Sequence, residues 1–257
     1  LVFFNTHERK EYMNMEQPKL FESIKAAFKN RPFVFGAVIY LLTWVSIDIL
    51  QASLLYFIKY VLQREAHSEV IMASIFITAM FALPVWEFAS RKWGKRTAYA
   101  VGIAFWAAVQ MILITMNLST GLGLILFVCI LGGIGVSAAH VLPWSILPDA
   151  VEWDEYNTGE RHEGMFYSLV TLAQKIASSM AIPLVLAVLQ VTGYQPNLAQ
   201  QSPSALWGIR IAIGPIPALL LITGIVFALK YPLSRDQFRQ VVDELERKRE
   251  LARKGVS

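Results

Sequence analysis

The sequence predicts an all-α membrane protein, with six transmembrane helices forming one bundle. Three observations carry that prediction. Apolar residues make up 55% of the 257 positions and charged residues only 16%, well below the quarter or so usual in soluble domains. The apolar runs are about 20 residues long, enough to cross a hydrocarbon core of roughly 30 Å at about 1.5 Å rise per residue. Lysine and arginine gather in blocks between and beyond those runs, the pattern that sets membrane orientation.

The elements follow in chain order. Leu1-Val2-Phe3-Phe4 is apolar and reads as the end of a preceding helix, so the chain is expected to be a fragment whose residues 1–31 form a cytoplasmic linker. Six lysines and arginines lie between 5 and 31, where Phe21, Ile24 and Phe28 recur at the spacing of a short amphipathic helix on the membrane surface. Pro32 suits a first helical turn, and the bundle is expected over 32–230, beginning with a span over about 33–60. Within it Tyr40, Trp44, Asp48, Gln51 and Leu55 fall on one helical stripe.

The second span, about 70–88 with Pro84 inside, ends in the basic turn Arg91-Lys92-Trp93-Gly94-Lys95-Arg96. A third span covers about 97–116. The fourth, about 121–142, holds Gly132, Gly133 and Gly135, which permit close helix packing. Ser137, His140 and Trp144 continue along one of its faces. Residues 147–161 are dense in acids and read as a loop. The fifth span covers about 165–191, and the sixth, about 205–229, contains Pro215 and Pro217. In the tail, 231–257, Ser234 and Gln237 match a capping box. Phe238, Val241, Val242 and Leu245 then make one stripe of a basic amphipathic helix, expected to be solvated or to lie on the surface.

Nineteen of the 23 lysines and arginines fall on one side of this layout, which puts both ends of the segment in the cytoplasm. The net charge of +4 is therefore a topological signal and not one for nucleic acid. The single cysteine, Cys129, lies in an apolar run and reads as a small core residue. Enzymatic motifs are missing: no glycine-rich loop precedes a lysine and serine, and no two histidines stand at metal spacing. The acids from Asp149 to Glu163 do not follow a calcium-loop pattern. The chain is read as no enzyme, with no cofactor and no metal in this segment.

The fifth span carries the sharpest constellation. Tyr167, Thr171, Gln174, Lys175 and Ser178 make a continuous polar stripe. In a bilayer such a stripe meets water or other polar groups. A lysine at mid-span costs roughly 2.5 to 3.5 kcal/mol on insertion scales and usually faces a cavity. The stripe is thus expected to line a substrate or ion pathway, the alternative being a polar seam between helices. Asp48 is the natural counter-charge to Lys175, and a cation or solute competing for one partner would provide coupling; the alternative is that Asp48 sits among hydroxyls or contacts a helix of the preceding half. Trp44, Trp144 and Trp207 suit interface anchoring, with stacking on a sugar ring a second use for Trp44 and Trp144. Arg210 can snorkel. Arg91, Lys92, Lys95 and Arg96 against Asp149, Glu152, Glu155 and Glu160 would form a cytoplasmic latch of exposed pairs, worth about 0–1 kcal/mol each.

At these residues the chain resembles the C-terminal half of a major facilitator superfamily transporter with a twelve-helix fold. More narrowly it resembles the glycoside–pentoside–hexuronide:cation symporter family, the melibiose permease-like group. The resemblance rests on Asn30-Arg31-Pro32-Phe33, on Gly94-Lys95-Arg96, on the series from Asp149 through Glu152, Glu155, Thr158-Gly159 and Arg161 to Glu163-Gly164, and on Lys175 and Gly193-Tyr194. It implies alternating access by two six-helix bundles in the plasma (inner) membrane, with a sugar or glycoside carried alongside Na+ or H+. It places Lys175 and Thr171 near the cation and sugar pocket. Arg161 is counted with the expected cytoplasmic gate. His140 departs from the family, standing where a tryptophan helps line the sugar site, and Arg91 stands where the superfamily has an acid. Eukaryotic lysophospholipid symporters are similar over His140–Asp149, including Leu142-Pro143-Trp144-Ser145, and share a lysine at 175. A non-transporting membrane scaffold is a further alternative.

Overall fold

The computed structural model describes residues 20–159, 162–196 and 198–254. Arg161, Glu160 and the expected linker up to residue 19 lie outside them. Every regular element among the described residues is helical. Six helical segments are long and apolar enough to cross a membrane: Arg31–Val61, Glu65–Trp93, Lys95–Leu113, Leu122–Thr158, Glu163–Val191 and Pro203–Leu229.

A short helix α1 (Leu20–Lys29) leads into α2 (Arg31–Tyr56), which ends in one widened π-type turn, Phe57–Val61. The junction is set by Asn30. Its Oδ1 accepts from the Phe33 N–H, capping α2, with Arg31 and Pro32 in the first turn. Its Nδ2 donates to the Ala150 carbonyl at 3.0 Å, tying the start of the first span to the fourth. Ala27, Phe33, Leu147, Ala150, Val151, Phe166 and Val170 close a small core there.

Helices α3 (Ser68–Trp93) and α4 (Lys95–Leu113) are separated by Gly94 alone, whose φ of 87° admits the sharp reversal that an L side chain resists. Helix α3 packs most extensively on α5 (Leu122–Thr158). Glycine makes that approach possible: a Cβ on Gly133 would sit 2.5 Å from the Ile75 carbonyl oxygen, while one on Gly135, facing α4, would meet the Trp106 ring. Trp86 Nε1 donates across the same interface to the Ile134 carbonyl at 2.8 Å. Cys129 is buried in the core, as expected.

The acidic stretch is not a loop. Helix α5 runs unbroken through Pro143 and Pro148 for 37 residues and stops at Gly159, whose left-handed conformation caps it. Alanine, glutamate and leucine-type residues sustain the helix past the apolar segment, and the neighbouring elements hold its end. The sixth span, by contrast, is two helices, α7 (Pro203–Ile213) and α8 (Pro215–Leu229), hinged at Gly214. Pro215 and Pro217 begin a new helix at its first positions, where their missing N–H costs nothing.

Helix α6 (Glu163–Val191) leans chiefly on α2. It and α3 are the least enclosed spans, with 17% and 22% of their apolar windows buried. Helix α9 (Arg235–Lys254) is held by the predicted capping box: Ser234 N–H donates to Gln237 Oε1, and the Gln237 N–H donates to Ser234 Oγ. Most of the described residues of α9 are exposed, as expected of a solvated or surface-lying helix, but its apolar stripe is docked. Val241 and Leu245 are buried, and Arg249 makes a two-point bond to Glu155 on α5. The apolar stripe finds a protein surface because α5 extends far enough to meet it.

Candidate functional site

The polar stripe of α6 meets α2 through two hydrogen bonds. Tyr40 Oη donates to Gln174 Oε1 at 2.7 Å, and one turn on, Ser178 Oγ donates to Asp48 Oδ2 at 2.5 Å. Thr171 Oγ1 turns back to the Tyr167 carbonyl of its own helix. Asp48 and Lys175 form no ion pair. At about 100° per residue, Lys175 lies a quarter-turn round the helix from Gln174 and on the near flank of Ser178. Gln174 and Ser178 therefore take the seam with α2, and Lys175 stands exposed beside it. Its ammonium has no acidic partner among the described residues. Gln51 and Leu55, at the far end of the α2 stripe, are exposed and outside the seam.

An aromatic wall adjoins the seam. Tyr40 stacks on Trp44 (centroids 5.6 Å, 16°) and meets Trp144 edge-on at 4.9 Å. Trp44 lies 5.4 Å from the His140 ring, and Trp144 stacks on Tyr167 at 6.2 Å. His140 Nδ1 is buried without a hydrogen-bond partner. The first, fourth and fifth spans thus bring Tyr40, Trp44, His140, Trp144 and Tyr167 to one place, with Trp144 38% exposed at its edge. Of these, spacing puts Tyr167 on the stripe expected to line a pathway, Trp44 and Trp144 are expected as anchors or sugar-stacking rings, and the family resemblance sets His140 at the sugar site. Tyr40 was noted only as part of a stripe, although its spacing to Trp44 and Asp48 was the available signal. Trp207 stands apart, exposed, as an interface residue does.

The predicted latch is built differently from expectation. Among the described residues, the pair that joins the two clusters is Lys95 Nζ to Asp149 Oδ1 at 2.5 Å, with the aspartate side chain only 9% exposed. This is a shielded pair, so it is not one of the cheap surface contacts expected. Arg91 instead takes Glu87 one turn back on its own helix, and Glu155 takes Arg249. Asp154 bonds His162 at 2.8 Å. Lys92 is exposed, and one carboxylate oxygen of Glu152 is buried without a partner. Because the acids continue a helix, they point in several directions around it and cannot all face one turn. Arg210 is likewise reassigned: rather than snorkelling, its Nη1 donates to the Ile114 carbonyl at the open end of α4, a favourable place for a cation.

A bundle of six apolar helices with a polar seam between its first and fifth spans is the architecture of a membrane transporter half. Residues 1–235 match the MFS/sugar transport protein family, and the chain belongs to it. It is 32% identical over 237 residues to an uncharacterized symporter of Synechocystis, covering 90% of this chain and 43% of that protein. It is 27% identical to the sodium-dependent lysophosphatidylcholine symporter 1-A of Danio rerio (92% of this chain, 45% of that protein). It is 26% identical to the sphingosine-1-phosphate transporter MFSD2B of Xenopus tropicalis (92% and 46%). The chain spans less than half the length of these curated relatives.

Proposed function

We propose that this bundle is the C-terminal half of a cation-coupled symporter that moves an anionic amphiphile of the lysophospholipid kind by alternating access. The observation that carries the reading is Lys175. A cation at position 13 of a 29-residue span, without a counter-anion among the described residues, suits an anionic group on the solute. The aromatic wall of Tyr40, Trp44, Trp144 and Tyr167 beside it supplies a surface for an apolar or cationic portion. Asp48, held by Ser178 one helical turn away, is the candidate for the coupling ion, Na+ or H+. The names of the Danio and Xenopus relatives agree with a lipid solute.

A neutral sugar or glycoside is the second reading, favoured by the flat, partly exposed face of Trp144 and by the family description. On either reading the sparsely buried α3 and α6 meet an N-terminal six-helix bundle, and the end bearing the Gly94 turn and α9 faces the cytoplasm of a plasma (inner) membrane.

The test is uptake by the full-length protein in proteoliposomes, with Na+ and pH gradients imposed separately. Accumulation of a radiolabelled lysophospholipid, driven by one gradient and absent for a panel of glycosides, is the expected result. Glycoside accumulation alone would move the assignment to the second reading, and uptake indifferent to both gradients would overturn coupling.

A further inference from the structure

At the end of the bundle that carries the Gly94 turn, a cavity of about 360 Å³ lies between the start of α4, the side of α5 and the irregular link into α9. Its chemistry is lopsided. Arg91, Lys95, Arg96 and Arg239 line it against one acid, Asp149, and that acid is already taken by Lys95. Arg91 is matched by Glu87. Arg96 and Arg239 have no acidic partner among the described residues.

Two of the lining residues carry an unused donor. Tyr231 is 5% exposed, and its hydroxyl is buried with no hydrogen-bond partner among the described residues. Arg96, whose guanidinium lies 5.5 Å from the Tyr231 ring centroid, has a buried Nε–H in the same condition. Burial pushes the Tyr231 phenol well above its ordinary range, the Asp149 carboxylate adding to the effect and Arg96 opposing it, so the hydroxyl remains a neutral donor. Buried donors without acceptors are costly enough that native proteins rarely keep them. The first turn of α4 adds more: Gly94 provides no side-chain cap, and the positive end of a 19-residue helix opens where Gly94, Lys95, Arg96 and Thr97 line the cavity.

We propose that this cavity binds a phosphate ester, and that the head group of an anionic phospholipid is its source. A tetrahedral dianion or monoanion offers enough acceptors for Arg96, Tyr231 and the α4 N–H groups at once. Apolar lining from Trp93, Ile146, Leu233 and Phe238 suits the glycerol backbone of an amphiphile better than a free ion. Trp93, 51% exposed at the end of α3, marks the level of the membrane interface. Bound there, the ligand bridges α4 to the link into α9. This site is separate from the Lys175 seam and does not depend on the reading given to it.

The experiment measures the thermal shift and lipid retention of the detergent-purified full-length protein on adding phosphatidylglycerol, phosphatidylcholine or soluble glycerol phosphate. Phosphatidylglycerol is expected to raise the melting temperature, and Arg96→Gln and Arg239→Gln each to weaken its retention about tenfold, the equivalent of one lost charged contact. Arg239→Gln lies on an exposed helix face, so it keeps the test valid should Arg96→Gln fold poorly. An equal shift from glycerol phosphate supports the phosphate site and overturns the lipid source. An equal shift from phosphatidylcholine, or full retention by Arg239→Gln together with a folded Arg96→Gln, overturns the proposal.

Discussion

Ser178 Oγ donates to the Asp48 carboxylate at 2.5 Å across the interface of α2 and α6, and Lys175, three residues before Ser178, makes no ion pair with that carboxylate. The carboxylate is therefore satisfied by a hydroxyl, while the ammonium stays open on the flank of the seam. A two-charge pair would have silenced both groups. On the proposed reading, this leaves one charge for the solute and gives the other a neutral hydrogen bond, from Ser178, that a cation would displace.

Asp48→Asn in the full-length protein should weaken gradient-driven accumulation while leaving solute exchange in place. The loss expected is ten- to a hundredfold, on the order of 1.5–3 kcal/mol for a hydrogen bond to a charged group. Parallel measurements of gradient-driven uptake and of counterflow separate the two effects. Equal loss of both would remove Asp48 from coupling.

Tyr40→Phe retains the ring against Trp44 and Trp144 but deletes the bond to Gln174. A neutral hydrogen bond contributes about 0.5–1.5 kcal/mol, so solute affinity should fall by no more than about tenfold. Trp144→Ala removes the wall itself and should cost more. Equilibrium binding to the two purified variants gives the ranking, and the reverse order would contradict the wall's role.

Lys95→Met leaves the Asp149 carboxylate buried without its cation. For fully buried pairs that costs about 3–5 kcal/mol; with Lys95 35% exposed, the expected loss is nearer 1–3 kcal/mol. Arg249→Gln breaks a more exposed pair and should cost about 1 kcal/mol or less. Limited proteolysis should show α9 released in the second variant with the bundle intact, whereas thermal unfolding should show the bundle weakened in the first.

Gly133→Leu places a side chain where even a Cβ would lie 2.5 Å from the Ile75 carbonyl oxygen. Backbone cannot yield as a flexible side chain does, so the substitution should cost at least about 1–3 kcal/mol and lower the yield of folded protein. Gly121→Leu, where nothing lies within 4 Å of the added atom, should be tolerated. Monodispersity after detergent extraction compares them.

The six spans were legible because length and apolarity are one-dimensional properties, and so was the capping box at Ser234. The helical stripes also told which residues of α6 could share a face. Partner choice was not legible. Period alone places Gln174, Lys175 and Ser178 together, but which of them meets α2 depends on how α6 is rotated in the bundle. The continuation of α5 through Pro143 and Pro148 was hidden because proline and acids read locally as a loop, whereas contacts with α2, α4 and α9 help to hold the helix. For the same reason Arg249, distant in sequence, displaced the basic turn as the partner of Glu155. Asn30 had a visible signal, its place before Arg31 and Pro32, but its bond to Ala150 spans 120 residues and leaves no local trace.

The most direct measurement is the affinity of the purified full-length protein for a lysophospholipid, compared among wild type, Lys175→Arg and Lys175→Gln. If the open ammonium receives the solute's anion, Lys175→Gln should bind ten- to a hundredfold more weakly, the worth of about 1.4–3 kcal/mol for a charge-assisted contact, and Lys175→Arg should recover most of the loss. Wild-type affinity in Lys175→Gln would contradict the account.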